Sequence, residues 1–228
     1  MLEVLAADGK TVDSEKVLTE LRKVWPDSQT LVAGTYYLIE AYAASSNPEN
    51  QRRAGELVLD WIRLPGSGFE ESGPGVRLGL ASILIDGGFS AEAAEMLSKA
   101  QEEALESGEE SLVIGVSYFL AKAANAAGRS KEALDSLNAI IENYEANTFN
   151  GTYNEAPFVL IQRATAEMGL YQSDRSASRL KSMSEDLQSA IAILDQRRKS
   201  LLFSGGTNPV FERDYWSAWL QYMEVLKA

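Results

Sequence analysis

The chain has 228 residues, with 33 acidic against 21 basic side chains, a formal net charge of −12, and neither cysteine nor histidine. That length suits one large domain or two small ones around a sizeable core. The acidic balance opposes nucleic acid or anionic lipid as a partner, while the missing thiols and imidazoles exclude disulfides, thiolate metal sites, thiol nucleophiles and Ser-His-Asp triads.

From the N-terminus, "MLEVLAADGKTVDSEK" has neither the basic start nor the long apolar run of a secretory signal. Residues 13–26 read as one amphipathic helix closing at Pro26, and residues 28–65 as a helix pair. The first helix of that pair runs through "TYYLIEAYAAS" with Leu38 and Tyr42 on one face. The second carries Ala54, Val58 and Trp61 at i, i+4 and i+7, a stripe suited to close helix packing. "PGSGFEESGPG" at 65–75 is rich in glycine, but it lacks a Gly-Lys-Ser/Thr ending and follows no strand, so it reads as a loop between helix pairs.

The next two pairs, 74–107 and 111–145, repeat one phrase: "GFSAEAAEML" from Gly88 and "GRSKEALDSL" from Gly128. Leu80-Ala81 matches Leu120-Ala121, and Ala93, Leu97 and Ala100 match Ala133, Leu137 and Ile140. Gly88 and Gly128 are expected in the left-handed conformation that ends a helix, with Ser90 and Ser130 as N-caps of the next. The most apolar stretch, Leu112 to Ala127, is interrupted by Lys122 and is too short for a membrane span.

A looser pair is expected over 155–203, with Pro157 near the start of its first helix and an unusually long second helix. A last helix is expected over 208–228, capped by Thr207 or Asn208 with Pro209 in its first turn. Its residues Trp216, Leu220 and Met223 form one stripe, and Phe211, Tyr215, Trp219 and Tyr222 a neighbouring one. This helix is expected either to cap the chain or to leave Trp216 and Trp219 as an interface for self-association.

Other motifs carry less. The carboxylate pairs Glu70-Glu71, Glu109-Glu110 and Glu185-Asp186 read as solvated acidic surface, and the Arg197-Arg198-Lys199 cluster as cations favoured near a helix C-terminus. Asn150-Gly151-Thr152 matches a glycosylation acceptor, which has meaning only on a secretory route. Strict alternation is scarce, so the chain is expected to be all-α, with no catalytic, metal or cofactor site. Compartment stays open.

Leu80-Ala81, Leu84, Gly88, Ala93, Leu97 and Ala100, with Leu120-Ala121, Ala124, Gly128, Ala133, Leu137 and Ile140, resemble the pattern of the tetratricopeptide repeat family. The repeat spacing of about 40 residues is longer than that family's 34, which leaves HEAT-like helix pairs as the competing label. Either resemblance implies one domain over 1–228, a right-handed α-solenoid of antiparallel helix pairs, whose first helices line a groove for a protein or peptide partner. The family's groove positions fall on Leu78, Ser82, Ile85 and Asp86, then on Tyr118, Lys122, Asn125 and Ala126, with Tyr36, Tyr37, Gln162 and Thr165 extending the row. Leu78, Ser82 and Tyr118 do not supply the Lys, Asn and Arg clamp by which some family members grip a carboxylate terminus. A spacer or assembly module of a longer array, and a small-molecule or glycan-binding helical domain, are the alternative expectations.

Overall fold

The computed structural model describes residues 11–45, 47–146, 156–203 and 209–228. All regular structure among them is helical, and helices that follow one another in the chain pack as neighbours within each of two compact units, residues 1–126 and 127–228. The suggested glycosylation triplet and the capping candidates Thr207 and Asn208 lie outside the described residues.

The first unit holds α1 (Thr11–Val24), α2 (Gln29–Ala43), α3 (Pro48–Trp61), α4 (Pro74–Asp86), α5 (Ser90–Ser107) and α6 (Glu110–Ala126). Helix starts follow local chemistry. The Ser28 side chain accepts from the Thr30 amide at 3.1 Å, and Asn47 accepts from Glu49 at 2.9 Å with Pro48 next in line, so orphan amides at both starts are satisfied.

The stripes expected from spacing are the core. Ala54, Val58 and Trp61 of α3 are buried, as are Ala93, Leu97 and Ala100 of α5, facing Leu80, Ala81 and Leu84 of α4. A leucine fully removed from water, such as Leu97, contributes about 2 kcal/mol relative to an exposed one. Trp61 also donates its indole N–H to the Val32 carbonyl at 3.1 Å, which ties α3 to α2. Helix α1 is held by Leu18 and by Glu15, which takes hydrogen bonds from Arg53 Nε at 2.6 Å and the Tyr42 hydroxyl at 3.0 Å.

The corner between α4 and α5 depends on glycine. Gly88 sits at φ 87°, its amide donates to Ile85, and the Phe89 amide donates to Leu84, the paired bonds of a Schellman turn. Phe89, rather than Ser90, is the residue at the N-cap, and it supplies no side-chain cap. The reason is packing: a Cβ on Gly55 would lie 2.5 Å from the Phe89 ring, so that ring fills the space left by a glycine of α3, and Ser90 falls one position inside the helix. Gly128 repeats the left-handed conformation at φ 73°, and there too the helix begins with the serine itself, Ser130.

Arg77 of α4 is buried, at 1% exposure. It donates to Glu103 of α5 at 2.6 Å and to the Glu70 carbonyl at 3.1 Å, and its guanidinium lies 5.3 Å from the centre of the Phe69 ring. One charged side chain thereby anchors the glycine-rich loop before α4, a structural duty for that segment.

The second unit holds α7 (Ser130–Ala146), α8 (Ala156–Asp174), α9 (Ala177–Phe203) and α10 (Pro209–Lys227). Helix α8 packs against both α7 and α9, and α9 against α10. Ala133, Leu137 and Ile140 of α7 are buried, and Met183, Leu187 and Ala190 of α9 repeat the same spacing. Gly169 of α8 admits the start of α7 closely, since a Cβ there would stand 2.1 Å from Ser130 Oγ.

Asp186 corrects the expectation of a solvated Glu185-Asp186 pair. Its side chain is 5% exposed and takes both Arg163 Nε at 2.7 Å and Arg163 Nη2 at 2.5 Å, a bidentate ion pair between α9 and α8. The physical reason lies in the helical period, because Asp186 shares the buried face of Met183, Leu187 and Ala190. Arg198 likewise does more than answer a helix dipole: it donates to Glu212 of α10 at 2.8 Å and lies over the rings of Tyr215 and Trp216.

Candidate functional site

In the first unit, α4 packs against α6 as well as against α5, so two alternate helices of that unit lie side by side. Two expected groove residues meet there: Lys122 of α6 donates to Asp86 of α4 at 2.7 Å. Lys122 Nζ also stands 5.9 Å from the centre of the Phe119 ring, and Tyr118 meets Phe119 edge-on at 5.1 Å. Both partners of the ion pair are accessible, with side-chain exposures of 21% for Lys122 and 36% for Asp86. Lys122 is thus half-buried and Asp86 exposed, so the carboxylate end of the pair stays open to exchange with a polar ligand.

Other expected positions divide between surface and core. Ser82, Tyr118 and Asn125 are half-buried. Ile85 is 6% exposed and belongs to the core, and Leu78 packs against that core, so neither offers a free contact. The shift has a simple cause: α4 meets three helices, α3, α5 and α6, leaving only a narrow outward arc.

Tyr36 and Tyr37 are exposed on α2, at 36% and 37%. The Tyr36 ring lies 5.8 Å from Trp61, and its hydroxyl is held above the ordinary tyrosine range by partial burial and then by the Glu40 carboxylate beside it. Gln162 and Thr165 fall in the second unit, on α8. Thr165 Oγ1 donates its one proton to the Ile161 carbonyl at 2.9 Å and lies 3.4 Å from the side-chain amide of Gln221 on α10, a second approach between alternate helices.

The expected terminal pair is separated by the helix surface. Trp216 is 52% exposed, whereas Trp219 is half-buried and its ring lies 6.1 Å from Tyr222. Leu220, Met223 and Leu226 join Trp216 on the outward side, at 68%, 47% and 60% exposure. Tyr215 is buried beneath them and donates to Asp195 of α9 at 2.8 Å. Burial first, and then that bond, hold its hydroxyl above the ordinary range.

The residues that sequence reasoning missed are Phe119, Arg77 and Asp186. Phe119 was signalled by its place beside Tyr118, and the two charged residues by their helical spacing from buried neighbours. Among the described residues no three Asp or Glu side chains converge as metal ligands, and no helix is long and apolar enough to cross a membrane. An open hollow of about 660 Å³ between the start of α7 and the end of α8 is lined by charges of both signs and by apolar surface, Arg129, Lys131, Glu132, Asp135 and Leu170 among them.

Among the described residues, fold and face together define an all-helical, repeat-like protein, with the Lys122–Asp86 ion pair between the alternate helices α4 and α6 and the rings of Tyr118 and Phe119 beside it. No protein-family model matches the chain, and no curated protein matches it.

Proposed function

We propose that the chain is a non-enzymatic protein-interaction scaffold of the tetratricopeptide-like kind, its helix pairs arranged as a right-handed solenoid. A peptide or protein surface binds along the face of α4 and α6. The observation that carries this reading is the accessible Asp86–Lys122 pair joining two first helices, with Phe119 and Tyr118 beside it. Such a surface suits an extended segment: the ammonium and carboxylate exchange their mutual bond for backbone or side-chain groups of the ligand, and the aromatic rings take up an apolar side chain. Specificity then comes from shape and a few polar contacts rather than from bond-making chemistry.

The test is selection from a displayed peptide library against the whole chain, followed by affinity measurement on Lys122→Glu and on Lys131→Glu, an exposed lysine of the second unit. The expected outcome is a set of peptides whose affinity falls at least tenfold with Lys122→Glu and holds with Lys131→Glu. A selection that yields no binder, or binders indifferent to Lys122, overturns the reading.

A further inference from the structure

Helix α10 is apolar on two sides. One side is spent on α9, where Tyr215, Ala218 and Val225 are buried. The other presents Trp216, Leu220, Met223 and Leu226 outward, at the three- and four-residue spacing of a helix-pairing seam. Together these side chains expose roughly 400 Å² per copy, as large as the largest apolar patch of an ordinary monomer, which is often functional.

The seam is also pre-arranged. Trp216 meets Tyr215 edge-on at 5.0 Å and is covered by the Arg198 guanidinium at 5.6 Å, which Glu212 holds at 2.8 Å. An aromatic anchor fixed in this way loses little freedom on being covered.

We infer that this stripe is the docking site for α10 of a second copy, the two helices running antiparallel about Leu220. The ends of the helix select both the partner and its direction. Glu212 lies in the first turn, where it holds Arg198, and Lys227 in the last, where it pairs with the exposed Glu224, so antiparallel pairing lets each Lys227 exchange Glu224 for the other copy's Glu212 and opposes the two helix dipoles. Parallel pairing sets like charges together. An isologous contact of this kind uses one self-complementary patch twice. The four side chains of each copy supply about 800 Å² between them and the residues flanking the stripe add to it, so the contact lies at the small end of specific interfaces and a weak dimer is expected. This inference goes beyond the proposed peptide-binding face and does not depend on it.

Sedimentation velocity of the whole chain from about 1 to 300 μM, at a salt concentration that screens the charge of −12 per copy, tests the pairing. A monomer–dimer equilibrium is expected. Leu220→Glu is expected to weaken it at least 30-fold with an unchanged circular dichroism spectrum and melting temperature, because that side chain is mostly in water. Leu226→Lys repeats the test, and Leu105→Glu, an exposed leucine of α5, is expected to leave the dimer intact.

Because the chain has no cysteine, single replacements report direction. A short bis-maleimide joins two copies of Leu220→Cys and does not join two copies of Lys227→Cys. A monomer at every concentration, a dimer indifferent to Leu220→Glu, or cross-linking through both cysteines overturns the inference.

Discussion

The hairpins α4–α5 and α8–α9 solve one problem with opposite polarity. In the first the arginine is buried, Arg77 at 1% exposure, and its acid, Glu103, is 34% exposed. In the second the acid is buried, Asp186 at 5%, and Arg163 is 23% exposed. Each pair joins the first helix of a hairpin to the second. The environments differ, because Arg77 also reaches the carbonyls of Phe69 and Glu70 and the Phe69 ring, whereas Asp186 takes two bonds from the one guanidinium of Arg163. Neutral carbonyls and a ring offset part of the loss of a counter-charge at Arg77, and the half-exposed position of Glu103 admits water there, whereas Asp186 rests on a single group.

The largest effect is therefore expected at Arg163. Arg163→Ala strands the Asp186 carboxylate and is expected to cost about 3–4 kcal/mol, whereas Glu103→Ala leaves Arg77 its carbonyls and is expected to cost about 1–2 kcal/mol. Urea unfolding midpoints measure both, and equal losses would break the comparison. The double variant Arg163→Leu with Asp186→Leu sharpens it, with stability returning to within about 1 kcal/mol of the parent because no unpaired charge remains.

The corners of the same hairpins differ next. Gly88 takes its left-handed conformation without a Cβ, but Arg175, after α8, stands at φ 54°. Its guanidinium lies 5.2 Å from the Tyr171 ring and its amide donates to the Tyr171 carbonyl at 2.9 Å. Gly88→Ala is expected to cost about 1 kcal/mol and Arg175→Gly to be neutral or to gain up to about 1 kcal/mol, read from melting temperatures. A loss of stability on Arg175→Gly would show that the stacking on Tyr171 outweighs the backbone strain.

The smallest effect is a pH dependence, carried in the second unit by Tyr215 and with the same sign in the first by Tyr36. Tyr215 has its hydroxyl raised above the usual value near 10 by burial and the bond to Asp195. Below pH 10 the hydroxyl keeps its proton in both folded and unfolded chains, and its contribution is complete. Above that the unfolded chain loses the proton first, so stability falls as the pH climbs toward the raised folded value. Tyr215→Phe is expected to show a shallower alkaline decline in chemical unfolding, and an unchanged slope would remove Tyr215 from the account.

Much of the architecture is local and was legible in the sequence. The spacing of Ala93, Leu97 and Ala100, echoed by Ala133, Leu137 and Ile140, fixes helix and inward face together, because a 3.6-residue period places those side chains in one stripe. Gly88 and Gly128 announce their corners because few other residues adopt the left-handed conformation at low cost. The two stripes of α10 could be separated by spacing alone.

What tertiary structure decided is which polar residue of a stripe goes inside and which apolar one stays out. Asp186 is an acid like Glu185 until Arg163, 23 residues away, arrives to pair with it. Arg77 is a surface cation until Glu103 and a loop carbonyl close around it. Ser90 reads as an N-cap until Gly55 makes room for the Phe89 ring. Lys122 and Asp86 become a pair only where α4 and α6 lie side by side. Helical periodicity reports a face, and it does so from neighbours along the chain. Burial of a charge, and exposure of a leucine, depend on groups brought from elsewhere in the fold, and their energies are set by distance in space.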